Sequence, residues 1–379
     1  MRFPKFSGEW KREILNDVCT FHNGRAYKQN ELLSDGKYRV LRVGNFFTND
    51  SWYYSDLELD DEKVAVNGDL LYAWSASFGP RFWTGEKVIY HYHIWKIDSF
   101  QQVSKEFLFY FLERDTEKIK NEVQGGTMVH ITKGDMEKRE ILYPSILEQS
   151  KIARLLSLLD ERIATQNKII EDLKKLKSAI VEMLLCNQNG ESFKLRDVGC
   201  FVRGLTYANE DVTENKAATT VIRANNLNYG NNVDKDEVVY VNKTPTTSQI
   251  LRKGDIVICM ANGSSSLVGK NSYYPFNDGQ STIGAFCGIY RTSYPFVKWL
   301  MQSQRYKRLV YQSLQGGNGA IANLNGDDIL NMSFPLIENG KSQSIIFAID
   351  AIEKSLMVNK SLQRLYYTQK SYLLKQMFI

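Results

Sequence analysis

The segment Leu15-x-Asp17-Val18-x-x-Phe21-x-x-Gly24-x-x-Tyr27 recurs, at identical internal spacing, as Leu195-x-Asp197-Val198-x-x-Phe201-x-x-Gly204-x-x-Tyr207. The correspondence continues in order. Val40-Leu41-Arg42 matches Val221-Ile222-Arg223, Gly68-Asp69 matches Gly254-Asp255, and Gln124-Gly125-Gly126 matches Gln315-Gly316-Gly317. Gly134-Asp135, Pro144 and Lys177-Ser178 then match Gly326-Asp327, Pro335 and Lys370-Ser371. Unrelated segments do not produce a collinear series of this kind, so the 379-residue chain is a duplicated unit and must adopt a fold that can be made twice.

Each unit changes character partway. Short alternating runs such as Lys87 to Trp95, punctuated by Gly-Asp, Asn-Asp and Thr-Gly, predict strands. From Ser145 to Asn189 there is neither Pro nor Gly, and Ile152, Leu156, Leu159, Ile163, Ile170, Leu173, Ile180 and Leu184 recur at steps of four and three. That spacing predicts a coiled-coil helix of about 60 Å. Gln166 and Lys177 fall at the two seam positions that break the apolar series, where polar residues set register. A second helix follows Gly340, with Ile349, Ile352, Leu356, Leu362, Tyr366 and Leu373 apolar and Asn359 and Gln369 in the seam. Two helices that each bury one stripe are satisfied by packing on each other, antiparallel if a two-fold relates the units. The expected fold is α/β in the mixed α+β sense, a pseudo-two-fold internal duplication. Two strand-rich domains at 1–145 and 189–338 are separated by two long antiparallel coiled-coil helices at 146–188 and 339–379, with the domains at opposite ends of a rod.

Composition bounds the functions open to such a chain. Although 43% of residues are hydrophobic, no apolar run approaches the ~18 that a membrane span needs. Met1 to Phe6 lacks the pattern of a secretory signal, and the expected location is cytoplasmic. Five cysteines without a Cys-x-x-Cys pair are expected to be reduced thiols. The net charge is +5, but residues 1–145 carry 20 basic against 22 acidic groups and 189–338 carry 15 against 13. Nucleic-acid binding would therefore need local patches and help from a partner.

Catalytic signatures are missing. Gly263 to Gly269-Lys270 has five residues between its glycines where a phosphate-binding loop has four, and Asn271 stands where Ser or Thr should ligate magnesium. A surface loop is the better reading. His91-x-His93 has metal-pair spacing, yet all four histidines lie in the first unit and no third ligand is near. No nucleophile elbow, zinc-protease or dinucleotide motif occurs. The expectation is a non-catalytic chain with no metal site.

Two kinds of recurring segment have the chemistry to meet DNA. One is the loop after the Gly-Asp strand: Trp74, Ser75, Ser77, Phe78 and Arg81 in the first unit, Asn262, Ser264, Ser265 and Lys270 in the second. Hydroxyl and amide groups can bond phosphates or base edges, and Arg81 can fork onto guanine; the alternative is an ordinary surface loop. The other is Gln124, Gly125, Gly126, Thr127 and His130, with Gln315, Gly316, Gly317 and Asn318 as counterparts. Paired glycines admit close phosphate approach and Gln can contact adenine; the alternative is a hairpin turn. Arg42 with Asn45, and Arg223 with Asn225 and Asn226, rank behind these. The aromatics Trp74, Phe78, Phe82, Trp83, Tyr90, Tyr92 and Trp95 read mainly as core. Framework residues match between units while loop residues differ, the pattern of one fold with two specificities.

Two strand-rich modules, each followed by a long Ile/Leu helix, resemble the specificity subunit of type I restriction-modification enzymes over essentially the whole chain. Gly68 to Gly79 with Gly85 to Trp95 resembles one variant of that family's target-recognition domain, and Glu148 to Ala153 leading into Leu158-Leu159-Asp160 resembles the start of its central helix. The resemblance implies that each module reads one half of a bipartite target in double-stranded DNA, with the helices setting the gap. It implies docking of two methyltransferase subunits that use S-adenosylmethionine to methylate adenine, and of restriction subunits that use ATP and magnesium. No cofactor is implied on this chain itself. The competing expectation is a dumbbell-shaped scaffold that binds proteins or glycans without DNA specificity.

Overall fold

The computed structural model describes every residue except 1, 48, 76–77, 123–130, 184–189, 315–321, 337–338 and 379, and every described side chain except those at 122 and 339–342. It forms two units, 1–167 with 361–379, and 168–360. In chain order the first contains β1 (Lys11–Ile14), α1 (Leu15–Val18), β2 (Thr20–Asn23), β3 (Tyr38–Leu41), α2 (Val43–Phe47), β4 (Tyr53–Ser55) and β5 (Val64–Ala65). It continues with β6 (Leu70–Ala73), β7 (Gly79–Phe82), β8 (Val88–Tyr90), β9 (Ile94–Asp98), α3 (Lys105–Glu122), α4 (Lys133–Glu137) and β10 (Glu140–Tyr143), then enters α5 (Ile146–Val181). The second contains β11 (Ser192–Lys194), α6 (Leu195–Val198), β12 (Gly199–Arg203), β13 (Val212–Thr213), β14 (Thr219–Ile222), β15 (Val239–Val241), β16 (Ile256–Cys259) and β17 (Ala261–Asn262). It ends with β18 (Asn271–Tyr273), β19 (Ser281–Ile283), β20 (Cys287–Thr292), α7 (Val297–Leu300), α8 (Gln304–Leu314), β21 (Ala322–Asn323), α9 (Gly326–Leu330), β22 (Ser333–Pro335) and the start of α10 (Asn339–Met377).

The same three sheets are built in each unit. The order β2-β9-β6-β7 in the first answers to β12-β20-β16-β18 in the second, and β1-β10 answers to β11-β22. A mixed sheet, β4-β3-β8-β5 or β13-β15-β14-β19, contains a parallel strand pair in each unit, β3 with β8 and β14 with β19. Period-two alternation splits the central strand between two cores. Leu70 and Tyr72 of β6 face a cluster containing Phe107 and Phe111 of α3, while Leu71 and Ala73 face Leu41, Phe46 and Tyr90. In β16, Ile256 and Ile258 face Trp299 and Tyr306, while Val257 and Cys259 face Ile222 and Tyr274. That two-sided burial explains why both strands are apolar throughout.

Recurring residues have recurring tasks. Gly68 and Gly254 adopt φ of 92° and 103°, a left-handed turn that favours glycine. The next residue closes it: Asp69 accepts from Val66 N (2.9 Å) and pairs with Lys96 (3.2 Å). Asp255 likewise accepts from Arg252 N (2.8 Å) and binds the Arg291 guanidinium through both oxygens (2.8 and 2.7 Å).

In the first unit α5 and α10 run antiparallel. Asn167 bonds Gln363, and seven residues back along α5 Asp160 pairs with Lys370, seven forward along α10. Ile152, Leu156 and Leu159 are buried there with Leu373, Leu374 and Met377. In the second unit Ile349 and Ile345 join Val181 in the core around Trp299, and Lys177 pairs with Glu353. Of the remaining predicted seam, Ile163, Ile170 and Leu356 are buried and Leu173, Ile180, Ile352, Leu362 and Tyr366 half-buried; Leu184 lies outside the described residues. Gln166 is buried and Asn359 half-buried, as a seam requires, but Gln369 is exposed. Its place is taken by Lys370, one residue further round the helix, which faces Glu113 and Asp160.

Lys87 to Trp95 is not one strand. β8 ends at Tyr90, and a turn at His91 to His93, closed by Ile94 N donating to the His91 carbonyl (2.9 Å), leads into β9. Arg81 lies inside β7, opposite Leu71, rather than in the preceding loop. Among the described residues no helix is long and apolar enough to cross a membrane.

Candidate nucleic-acid interface

In the second unit the parallel pair β14 and β19 ends beside the β16–β17 junction, and a cleft of about 690 Å³ opens there. Arg223, Asn225 and Asn262 line it with Tyr207, Gly284 and Phe286. Arg223 and Asn225 are exposed and Asn262 half-buried, so a guanidinium and two amides converge on a concave surface. Donors of that kind suit base edges and phosphates. Asn226 is different: it is buried, its side-chain oxygen accepts from Arg223 N (2.9 Å) and its amide donates to the Glu237 carbonyl (3.1 Å). It holds the turn that presents Arg223 and Asn225. Beneath the cleft Cys287 is buried opposite Cys259, and burial pushes its thiol up to about 12, leaving it protonated.

Ser264 and Ser265 are exposed on the β17–β18 connection and Lys270 is half-buried at its end. Asn262 ties this loop to the cleft by accepting from Ser264 N (3.0 Å), while Ser265 lines a separate depression with Tyr229 and Lys307.

The first unit fills the equivalent place with rings. Arg42 is exposed just after β3, as Arg223 is after β14, and lies over Tyr53 (5.1 Å) beside His91. Trp74 donates from Nε1 to the Tyr92 carbonyl (2.8 Å) and packs against His93 (5.0 Å) and Trp95 (5.8 Å). Burial, then the neighbouring His93 and Arg42, push the His91 imidazole down to about 4, so it is neutral at pH 7. Among the described residues no cluster of three or more His, Cys, Asp or Glu could hold a metal. Asn45 donates to the carbonyls of Asn49 and Ser51 (2.9 and 2.7 Å) and so fixes its own loop. Ser75 and Phe78 are buried, and Arg81 lies over the Phe47 ring (4.7 Å).

Ser77, Gln124, Gly125, Gly126, Thr127, His130, Gln315, Gly316, Gly317 and Asn318 lie outside the described residues. Tyr207 is visible in the sequence only as the last residue of the repeat, and Phe286 with the turn that carries it is not among the expected contact residues. The signal for the turn is Gly284-Ala285-Phe286, a bulky ring directly after two small residues.

Residues 7–175 match the family described as type I restriction modification DNA specificity domain. The chain is 25% identical over 285 residues to the type I restriction enzyme MjaVIII specificity subunit of Methanocaldococcus jannaschii, covering 69% of this chain and 65% of that one. It is 30% identical over 153 residues to the type I restriction enzyme EcoKI specificity subunit of Escherichia coli K12, 38% of this chain and 32% of the relative. These matches span less than two thirds of either relative. Among solved structures, the type I restriction-modification S subunit from M. genitalium shares 16% identity with a TM-score of 0.59, covering 98% of this chain and 96% of that one. A chain from a study of complex assembly and conformational transition in the type I system shares 12% with a TM-score of 0.57, at 98% and 97% coverage. At those identities the likeness is one of fold.

Proposed function

We propose that this chain, which belongs to the family of type I restriction-modification specificity subunits, reads a bipartite target in double-stranded DNA, one half with each unit. The observation that carries the reading is that one sheet end is built twice on the same backbone plan and furnished with different side chains, rings around Arg42 and amides around Arg223. Division into recognition domains at 1–145 and 189–338 and helices at 146–188 and 339–379 follows from it. The chain is the non-catalytic member of its complex. Two methyltransferase subunits, bringing S-adenosylmethionine, dock on the helices, and restriction subunits bring ATP and magnesium. Large apolar side chains exposed on those helices support docking: Leu147 (74%) and Leu365 (64%) in the first unit, Phe347 (79%) and Val358 (66%) in the second.

Co-expression with the methyltransferase, followed by single-molecule mapping of methylated adenines, tests the reading. The expected result is a new motif of two short specific blocks around an unspecified gap. A stable complex that leaves the genome unmethylated would count against it, as would duplex binding insensitive to salt, because phosphate contacts release counterions.

A further inference from the structure

Two units on one plan can be compared position by position, and at the sheet end they differ in one turn. In the first unit Trp74 N donates to the His93 carbonyl (3.1 Å), Ile94 N to the His91 carbonyl (2.9 Å) and His91 N to the Leu41 carbonyl (2.9 Å). In the second, Met260 N donates to the Phe286 carbonyl (2.8 Å), Cys287 N to the Gly284 carbonyl (2.9 Å) and Gly284 N to the Ile222 carbonyl (3.0 Å). The same three bonds pair His91 with Gly284 and His93 with Phe286. The side chains at those positions are of different chemistry. His91 stacks on Tyr27, ring centroids 6.3 Å apart, whereas Gly284 leaves the cleft open. A β-carbon at Gly284 would meet Val221, Tyr207 and Arg223 at 3.6–3.9 Å, ordinary contact, so sterics do not impose the glycine there. Phe286 lines the same cleft and is 69% exposed. Its own carbonyl is tied to Met260 N and the next residue, Cys287, is buried, so the ring stands on a fixed turn.

An apolar ring held in water beside Arg223, Asn225 and Asn262 fits an apolar feature set among hydrogen-bonding groups. The major-groove edge of an A·T pair has that character: adenine N6 and N7 suit an amide, and the thymine methyl group lies beside them. Stacking on a base would first require that base to leave the helix; the groove edge requires no such step. We propose that Phe286 is a specificity-determining residue of the second unit, its ring covering the C5-methyl group of a thymine in the half-site that unit reads. The proposal rests on the specificity-subunit reading above.

Replacing thymine by uracil removes that methyl group alone. The full chain, in complex with its methyltransferase, is titrated with duplexes of the mapped target in which each thymine is replaced singly by uracil. The expected result is one thymine, in one half-site, whose replacement weakens binding by the native complex roughly fourfold. The same replacement is without effect on Phe286→Ala and is felt again by Phe286→Leu, which restores an apolar contact. A Phe286→Ala complex that keeps the native uracil profile overturns the proposal. So does one that loses affinity for random-sequence duplex as much as for the target, since that is a loss of fold or of phosphate contact. If the native complex methylates no bipartite target, the specificity-subunit reading itself fails and takes this one with it. A mapped target indifferent to Phe286 removes only the present proposal.

Discussion

His91 shows how one residue couples the sheet end to stability. Its imidazole, held near 4 by burial and by His93 and Arg42, ordinarily titrates near ~6.5. Between those values the unfolded chain binds a proton that the folded chain refuses, so stability is full above about pH 6.5 and falls as the pH drops toward 4. His91→Gln is expected to flatten this slope, measured as the difference between native and variant denaturation midpoints at pH 7 and 4.5; parallel curves would contradict it. The sequence makes His91 visible only as half of a His-x-His pair, because its environment depends on Leu41, Tyr27 and Arg42, which are distant along the chain. Gly24 and Gly204 were legible as a repeated pair, and the structure supplies the reason. A β-carbon there would stand 2.3 Å from the His91 carbonyl oxygen or 2.1 Å from that of Gly284, where the chain crosses the edge of the parallel pair. Asn45 and Asn226 were equally legible as polar residues after a strand. That their amides are taken up by backbone groups depends on loop geometry that no spacing encodes.

At the scale of elements the two long helices were the most legible feature, because a seam with steps of four and three has few other readings. What the seam did not reveal is where each helix leaves its partner helix to serve a domain core. Ile345 and Met377 keep the heptad spacing yet are buried in domain cores, and Leu374, one residue off the seam, is buried there too. The matched lysines mark the same junctions. Lys177 reaches Glu353 and lies over Trp299 (4.7 Å); Lys370 reaches Glu113 and Asp160 (both 2.7 Å) and lies over Tyr110 (5.6 Å). Burial lowers the Lys177 ammonium from its usual range even beside its carboxylate partner. Removing one member leaves the other poorly solvated and unpaired. Lys177→Met is therefore expected to destabilise the second unit by about 1–3 kcal/mol. The double variant Lys177→Met, Glu353→Met should recover most of that loss, read from a double-mutant cycle in denaturant. Additive losses would mean that the lysine acts through packing on Trp299 rather than through the pair.

For the whole molecule the decisive property is that each unit closes its own cores. Among the described residues, the clusters around Phe107, Leu41 and Val40 draw only on the first unit, and those around Trp299, Tyr274 and Val221 only on the second. Substitutions that share no core and no partner add independently, so a change at one sheet end should alter one half of the target and leave the other intact. Arg223→Ala combined with Asn225→Ala removes two donors from the second unit's cleft without touching the amide of Asn226 that holds the turn. A well-formed bidentate contact discriminates against the wrong base by about 1–3 kcal/mol, roughly five- to 150-fold per position. The methylated-adenine map of the variant complex should therefore show one block relaxed at one or two positions, the other block unchanged and the gap of the same length. Relaxation of both blocks would mean that the units do not read independently, whatever their separate cores. An unchanged map would move base reading away from the cleft, to surfaces such as the Ser264–Ser265 loop, while leaving the bipartite target itself in place.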